Sequence, residues 1–217
     1  ARYVYHVGNT RQQVDLALDP LILNAAETDG RGVSIGQEFD HETTFRFREP
    51  TRVKRVTSFV NLLPEIHDDA GRLVSWEPFV GLRDRLPEFE FRSFGHRCPD
   101  GFRKPVAALA DEMAEAGWAY HDKPTGDGFG HVIHNWAAVG RPLIGHARYY
   151  AGQRAAPLWQ DMETCLDLDR HSLDEAAQIL RETGPERHRQ MCRAIRETFE
   201  AIYDPAADAV KVAALLA

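Results

Sequence analysis

The sequence predicts an α/β fold built on a mostly parallel, doubly wound sheet. Strand-like and helix-like segments alternate from end to end, the trace that crossover helices leave in a chain. Proline and glycine mark the starts and stops of the helical segments. A glycine-rich turn, with Gly126, Gly128 and Gly130, joins a predicted strand to a predicted helix.

The elements follow in order. Short strands are expected over 3–7, 21–24 and 32–35, with a polar turn at Gly8 and Asn9. Residues 39–50 are charged and aromatic without periodicity and read as a linker. A strand over 53–61 opens a new unit. A helix over 76–86 follows, with Phe79, Leu82 and Leu86 on one face. Residues 89–94 alternate as a strand, and 105–116 form a helix with Pro105 in its first turn and Gly117 as its stop. Strands over 118–121, 143–145 and 164–168 complete the sheet. Ser172 and Glu175 make a capping box that opens a helix to 182. Pro185 opens a long helix to about residue 203. Pro205 separates it from a last apolar helix over 206–216. The domain reading is 1–45, 46–203 and 204–217, with no internal repeat and no low-complexity segment.

Composition narrows the function classes. With 43% hydrophobic and 27% charged residues, the chain is ordinary for a soluble globular protein. A net charge of −7 gives no electrostatic reason to bind nucleic acid or an anionic membrane. The three cysteines are widely spaced with no CxxC pair, so neither a disulfide framework nor a zinc ribbon is expected. A reducing, cytoplasmic compartment fits that usage. No apolar run is long enough to span a bilayer, and the start does not read as a signal peptide. The chain opens on Ala1, and we expect a fragment of a longer protein.

The chemistry concentrates in residues 123–144. Glycines at 126, 128 and 130 keep the turn free of side chains, so a ligand can approach the backbone. The helix that follows points unpaired N–H groups and the positive end of its dipole at the turn, which suits a phosphate or diphosphate. Asp127 inside the turn would repel phosphate and therefore reads as a partner for sugar hydroxyls. Together these features predict a nucleotide-sugar pocket.

His131, His134 and Asn135 lie at spacings of three and four, but no HExxH or dispersed third ligand supports a metal, and none is expected. His134 reads as a packed histidine bonded to a neighbouring strand. Val132, Trp136 and Val139 read as core, and Arg141 as a structural cation after the helix stop at Gly140. Tyr149 and Tyr150, and likewise His96 and Arg97, follow strands, a place that faces the ligand crevice of such a sheet, with half-exposed packing the alternative for the two tyrosines. Of these, Arg97 is the candidate phosphate contact. The acidic residues over 65–69 read as a solvated loop.

The residues also resemble a known family. The order of elements from Val53 onward is similar to the C-terminal, nucleotide-sugar-binding domain of GT-B glycosyltransferases, and most similar to retaining enzymes with an E-x7-E motif. Here that motif reads Asp127-Gly128-Phe129-Gly130, then Asn135-Trp136-Ala137-Ala138, Gly140, Pro142 and Ile144. Pro124 and Thr125 resemble the Pro-Ser that often precedes it, and residues 172–177 resemble the helix opening after the next strand. The resemblance implies transfer of a sugar from a nucleoside diphosphate sugar to an acceptor, with no further cofactor. It places Asp127 on the donor sugar, the amides of Phe129, Gly130 and His131 on the phosphates, and Asn135 on the ribose. Both carboxylates of the motif have changed, one to Asp and one to Asn. The Arg and Lys usual after the domain's first strand are replaced by Leu62-Leu63-Pro64-Glu65-Ile66. No general base is evident in this domain. Residues 1–45 resemble the end of the family's acceptor-side domain, and the last helix is expected to cross back toward it. A binding module without transfer activity, and a sugar-nucleotide epimerase of the same architecture, are the alternatives.

Overall fold

The computed structural model describes residues 40–68, 70–124 and 130–216. The predicted strands over 3–7, 21–24 and 32–35 lie outside the described residues, as do Gly126, Asp127, Gly128 and Phe129. Five strands form the sheet: β1 (Arg52–Ser58), β2 (Glu90–Ser93), β3 (Ala116–Tyr120), β4 (Leu143–Gly145) and β5 (Cys165–Asp167). All pair in parallel, in the order β2-β1-β3-β4-β5. The helices are α1 (Trp76–Arg85), α2 (Val106–Glu115), α3 (His131–Ala138), α4 (Leu173–Glu182), α5 (Pro185–Ile202) and α6 (Pro205–Leu216). Every strand expected from Val56 to Cys165 belongs to this one sheet.

Strand alternation sends successive side chains to opposite faces, and each face has its own core. Val56, Trp118, Tyr120, Ile144 and Leu166 pack with Phe79 and Leu82 of α1 and with Ala176, Ala177 and Leu180 of α4. Ala119, Leu143 and Cys165 pack on the other face with Met113 of α2, Ile133 and Trp136 of α3, and Ile195 and Phe199 of α5. Helices on both faces make the sheet doubly wound. The predicted capping box is formed at Ser172, with both reciprocal bonds to Glu175.

Gly117 is not a helix stop. The helix ends at Glu115, and Gly117 lies inside β3. A Cβ at Gly117 would stand 2.2 Å from the Val53 carbonyl oxygen, at the place where the β1–β3 register shifts. Glycine is needed there for close approach of two backbones.

Arg141, just ahead of β4, is fully buried. Its guanidinium donates to the carbonyls of Met113 and Ala114, at the end of α2, and to those of Gly140 and Arg48. Burial pushes its pKa down to about 10, so it remains charged at neutral pH. The structural role expected for it holds, and the Arg48 contact pins the linker to the sheet. Near the chain end, Arg154 pairs with Asp208 of α6 at 3.1 Å, while Val210 is 69% exposed. The segment toward which α6 was expected to cross lies outside the described residues.

Candidate functional site

In an open parallel sheet, ligands sit beyond the carboxyl ends of the strands, where neighbouring connections diverge to opposite faces. The order β2-β1-β3-β4-β5 puts that switch point between β1 and β3. The connection that leaves β3 after Tyr120 contains the glycine turn and ends at Gly130. Gly130 has φ 72 and ψ 72, a left-handed conformation that launches α3 at His131. The first amides of a helix have no partner within it, and here they begin beside the crevice.

Asn135, one turn into α3, is 8% exposed, and its Oδ1 is buried with no hydrogen-bond partner among the described residues. Buried polar atoms are rarely left so. His131 is exposed at the helix start. His134 is buried, its Nδ1 lies 3.0 Å from the Gly130 carbonyl, and its ring meets Phe199 edge-on.

Arg97 follows β2, in a loop sewn to the one after β1. The Leu62 amide donates to the His96 carbonyl and the His96 amide to Asn61 Oδ1, both at 2.8 Å. Arg97 therefore stands at the carboxyl edge, but its Nη1 is 3.0 Å from Glu65 Oε2. Arg72 is held by Asp68 at 2.6 Å, and Arg103 by Glu112 at 3.0 Å while it lies over the Phe94 ring. The structure thus gathers Gly130, His131 and Asn135 on one element and Arg97 on a loop following β2.

Two residues absent from the sequence reading form a pair beside this crevice. Asp122, just past β3, is fully buried. His146, just past β4, donates its backbone amide to Asp122 Oδ1 at 3.0 Å and sets its Nδ1 2.9 Å from Oδ2. Gly145 makes room for the pair, since a Cβ there would stand 2.6 Å from the His121 carbonyl oxygen and 3.3 Å from Asp122 Oδ1. The Tyr120 hydroxyl lies 2.7 Å from the Ser75 carbonyl and 3.3 Å from Asp122 Oδ2. Burial and the neighbouring carboxylate raise the phenol's pKa well above its ordinary value, so Tyr120 stays a donor. The only sequence signal for the pair was a polar residue at the end of each strand.

His146 lines a cleft of about 340 Å³ with Arg72, Glu77, Arg148 and Tyr149, over Val74, Pro78 and Leu173. Of the two tyrosines expected at the crevice, Tyr149 lines this cleft. Tyr150 is buried and stacked on Trp159 with centroids 4.6 Å apart.

No protein-family model matches the sequence, and no curated protein matches it significantly. Solved structures do match. HepE from Anabaena, crystallised with UDP and glucose, superposes with a TM-score of 0.63 at 14% identity over 97% of this chain and 62% of its own. TarM gives 0.62 at 10% identity over 96% of this chain and 42% of its own. Sucrose-phosphate synthase from Thermosynechococcus elongatus gives 0.60 at 16% identity, over 97% and 57%. The chain thus spans less than two-thirds of the length of each. At these identities the likeness is one of fold, and the fold is α/β, Rossmann-like and GT-B-like.

Proposed function

We propose that this chain is the nucleotide-sugar-binding part of a cytoplasmic glycosyltransferase that moves a sugar from a nucleoside diphosphate donor to an acceptor. The observation that carries the reading is Asn135, whose buried Oδ1 waits without a partner on the helix that starts at the switch point. A ribose hydroxyl supplies the donor that this oxygen lacks. The amides of Phe129, Gly130 and His131 would hold the diphosphate, Gly128 would let it approach, and Asp127 would meet the sugar. Arg97 reaches the phosphates only by leaving Glu65. Among solved neighbours, HepE has been crystallised with UDP-glucose, and GtfA, an O-GlcNAc transferase, with UDP. Those ligands define the panel to try.

Titration calorimetry of the full-length protein with UDP, GDP, ADP and their glucose conjugates tests the reading. We expect one nucleotide to bind in preference. Asn135→Ala should weaken it by about 1 kcal/mol, the worth of one neutral hydrogen bond. A bulky residue at Gly128 should weaken it more, because it blocks backbone approach. Equal heats for every ligand, unaltered at Gly128, would reduce the loop to a turn. A binding module without transfer activity is the second reading. It is favoured by the lack of a base over 59–66 and by the pairing of Arg97 with Glu65. Nucleotide binding with no sugar transfer to any acceptor would select it.

A further inference from the structure

The loops that follow β1 and β2 make one surface at the carboxyl edge of the sheet. The Leu62 amide donates to the His96 carbonyl at 2.8 Å, and the Gly95 amide donates to the Gly101 carbonyl at 2.8 Å. Leu62 is 37% exposed, Phe102 57%, and Val106, the first residue of α2, 60%. Among the described residues only one other large apolar side chain, Val210, is exposed, so this edge gathers three of the four. The Phe102 ring lies 6.1 Å from the exposed His96 ring, and Lys104 Nζ lies over it, 5.8 Å from its centroid. Charge here runs against the chain as a whole, whose net charge is −7. Among the exposed residues over 61–67 and 96–107 the one acid is Glu65, and Arg97 holds it at 3.0 Å. The half-buried Asp100 is paired with Arg92 at 3.0 Å. Lys104 has no carboxylate partner among the described residues. No acid stands in the first turn of α2, and the dipole of that helix adds to the positive sign.

We propose that this edge docks on an anionic membrane surface, with Phe102, Leu62 and Val106 entering the headgroup region and Lys104 meeting the lipid phosphates. Apolar insertion and an attractive charge are the two signals that peripheral binding combines. A phenyl ring with a lysine beside it supplies both. The lysine stem follows the ring into the interface while the ammonium stays with the headgroups. The attraction of each cation to such a surface is screened by salt. A protein partner fits less well, because a stable interface covers about 800 Å² on each side and three side chains on two loops supply only part of that. The contact is peripheral, and no helix among the described residues is long and apolar enough to cross a membrane. It does not depend on nucleotide binding.

The test sediments the full-length protein with vesicles, either of phosphatidylcholine alone or of an equal mixture with phosphatidylglycerol, in low salt. Wild type should partition onto the mixed vesicles about fivefold more strongly, or better, and added salt should erase the difference. Phe102→Ser should weaken binding to the mixed vesicles about tenfold, and Lys104→Ala about fivefold. Both side chains are exposed, so the urea midpoints of these variants should match wild type. The emission of Phe102→Trp, read against wild type, should shift to the blue on mixed vesicles. If the protein stays in the supernatant with both lipids, the proposal is overturned. It is equally overturned if Phe102→Ser sediments like wild type, or if the emission of Phe102→Trp does not shift. A dimer in light scattering that Phe102→Ser dissolves, with no vesicle binding, would give this edge to a second copy and overturn the membrane contact.

Discussion

The connection from β3 to α3 and the connection from β4 to β5 leave the same edge of the sheet, yet they are built differently. The first gets its character from its own residues: glycines that free the backbone, and a left-handed Gly130 that starts a helix. The second gets its character from neighbours. His146 is aimed by Asp122 of the other connection, and its cleft is completed by Arg72 and Glu77 on and before α1 and by Leu173 of α4. The comparison teaches that backbone geometry can be local in sequence, whereas a side-chain cluster needs several loops brought together.

Substitutions can break or sharpen that contrast. The largest effect should fall at neither connection but at Arg141, which supports the opposite edge. Arg141→Leu strands four buried carbonyls, and we expect a loss of about 4 kcal/mol in urea denaturation. A smaller loss would mean that water reaches those carbonyls.

Next comes Gly145→Ala. Its new methyl meets backbone, the His121 carbonyl at 2.6 Å, which cannot swing aside as a side chain would. We expect about 2–3 kcal/mol of destabilisation and a shifted His146 resonance, because the strain lands on the Asp122 pair. Gly130→Ala should cost about 1 kcal/mol, the penalty of its left-handed backbone. If the two losses prove equal, space is not what separates the two connections.

The smallest effect is a slope in pH. His188 donates its Nε2 hydrogen to the Gly117 carbonyl at 2.9 Å, packs on Trp118, and is held below its ordinary pKa of 6.5 chiefly by burial. Above pH 6.5 both folded and unfolded states keep it neutral, so its contribution is fully present there. Below 6.5 the unfolded chain takes up the proton first, and stability falls with pH. Urea midpoints between pH 8 and pH 5 should therefore decline more for wild type than for His188→Gln; parallel curves would show that His188 ionises freely in the fold.

Most of the fold was legible because its signals are local. Phe79, Leu82 and Leu86 at helical spacing, the Ser172–Glu175 box, and proline and glycine at helix ends gave the helices. Short apolar runs between them gave the strands. Gly117 was misread because a glycine between a helix pattern and a strand pattern serves either one, and only the approach of Val53 decides. Of the two tyrosines, identical in sequence context, Tyr150 is buried against Trp159 and Tyr149 lines the cleft.

Sequence by itself determined the alternation of strands and helices and the two apolar faces, since each follows from periodicity within a few residues. Tertiary structure alone decided that Asp122 meets His146, that Arg141 reaches the carbonyls of Met113, Ala114 and Arg48, and that Arg97 spends its charge on Glu65. Those contacts join residues 24, 27 to 93, and 32 positions apart. No local pattern encodes them, because they exist only where parallel strands set their ends side by side.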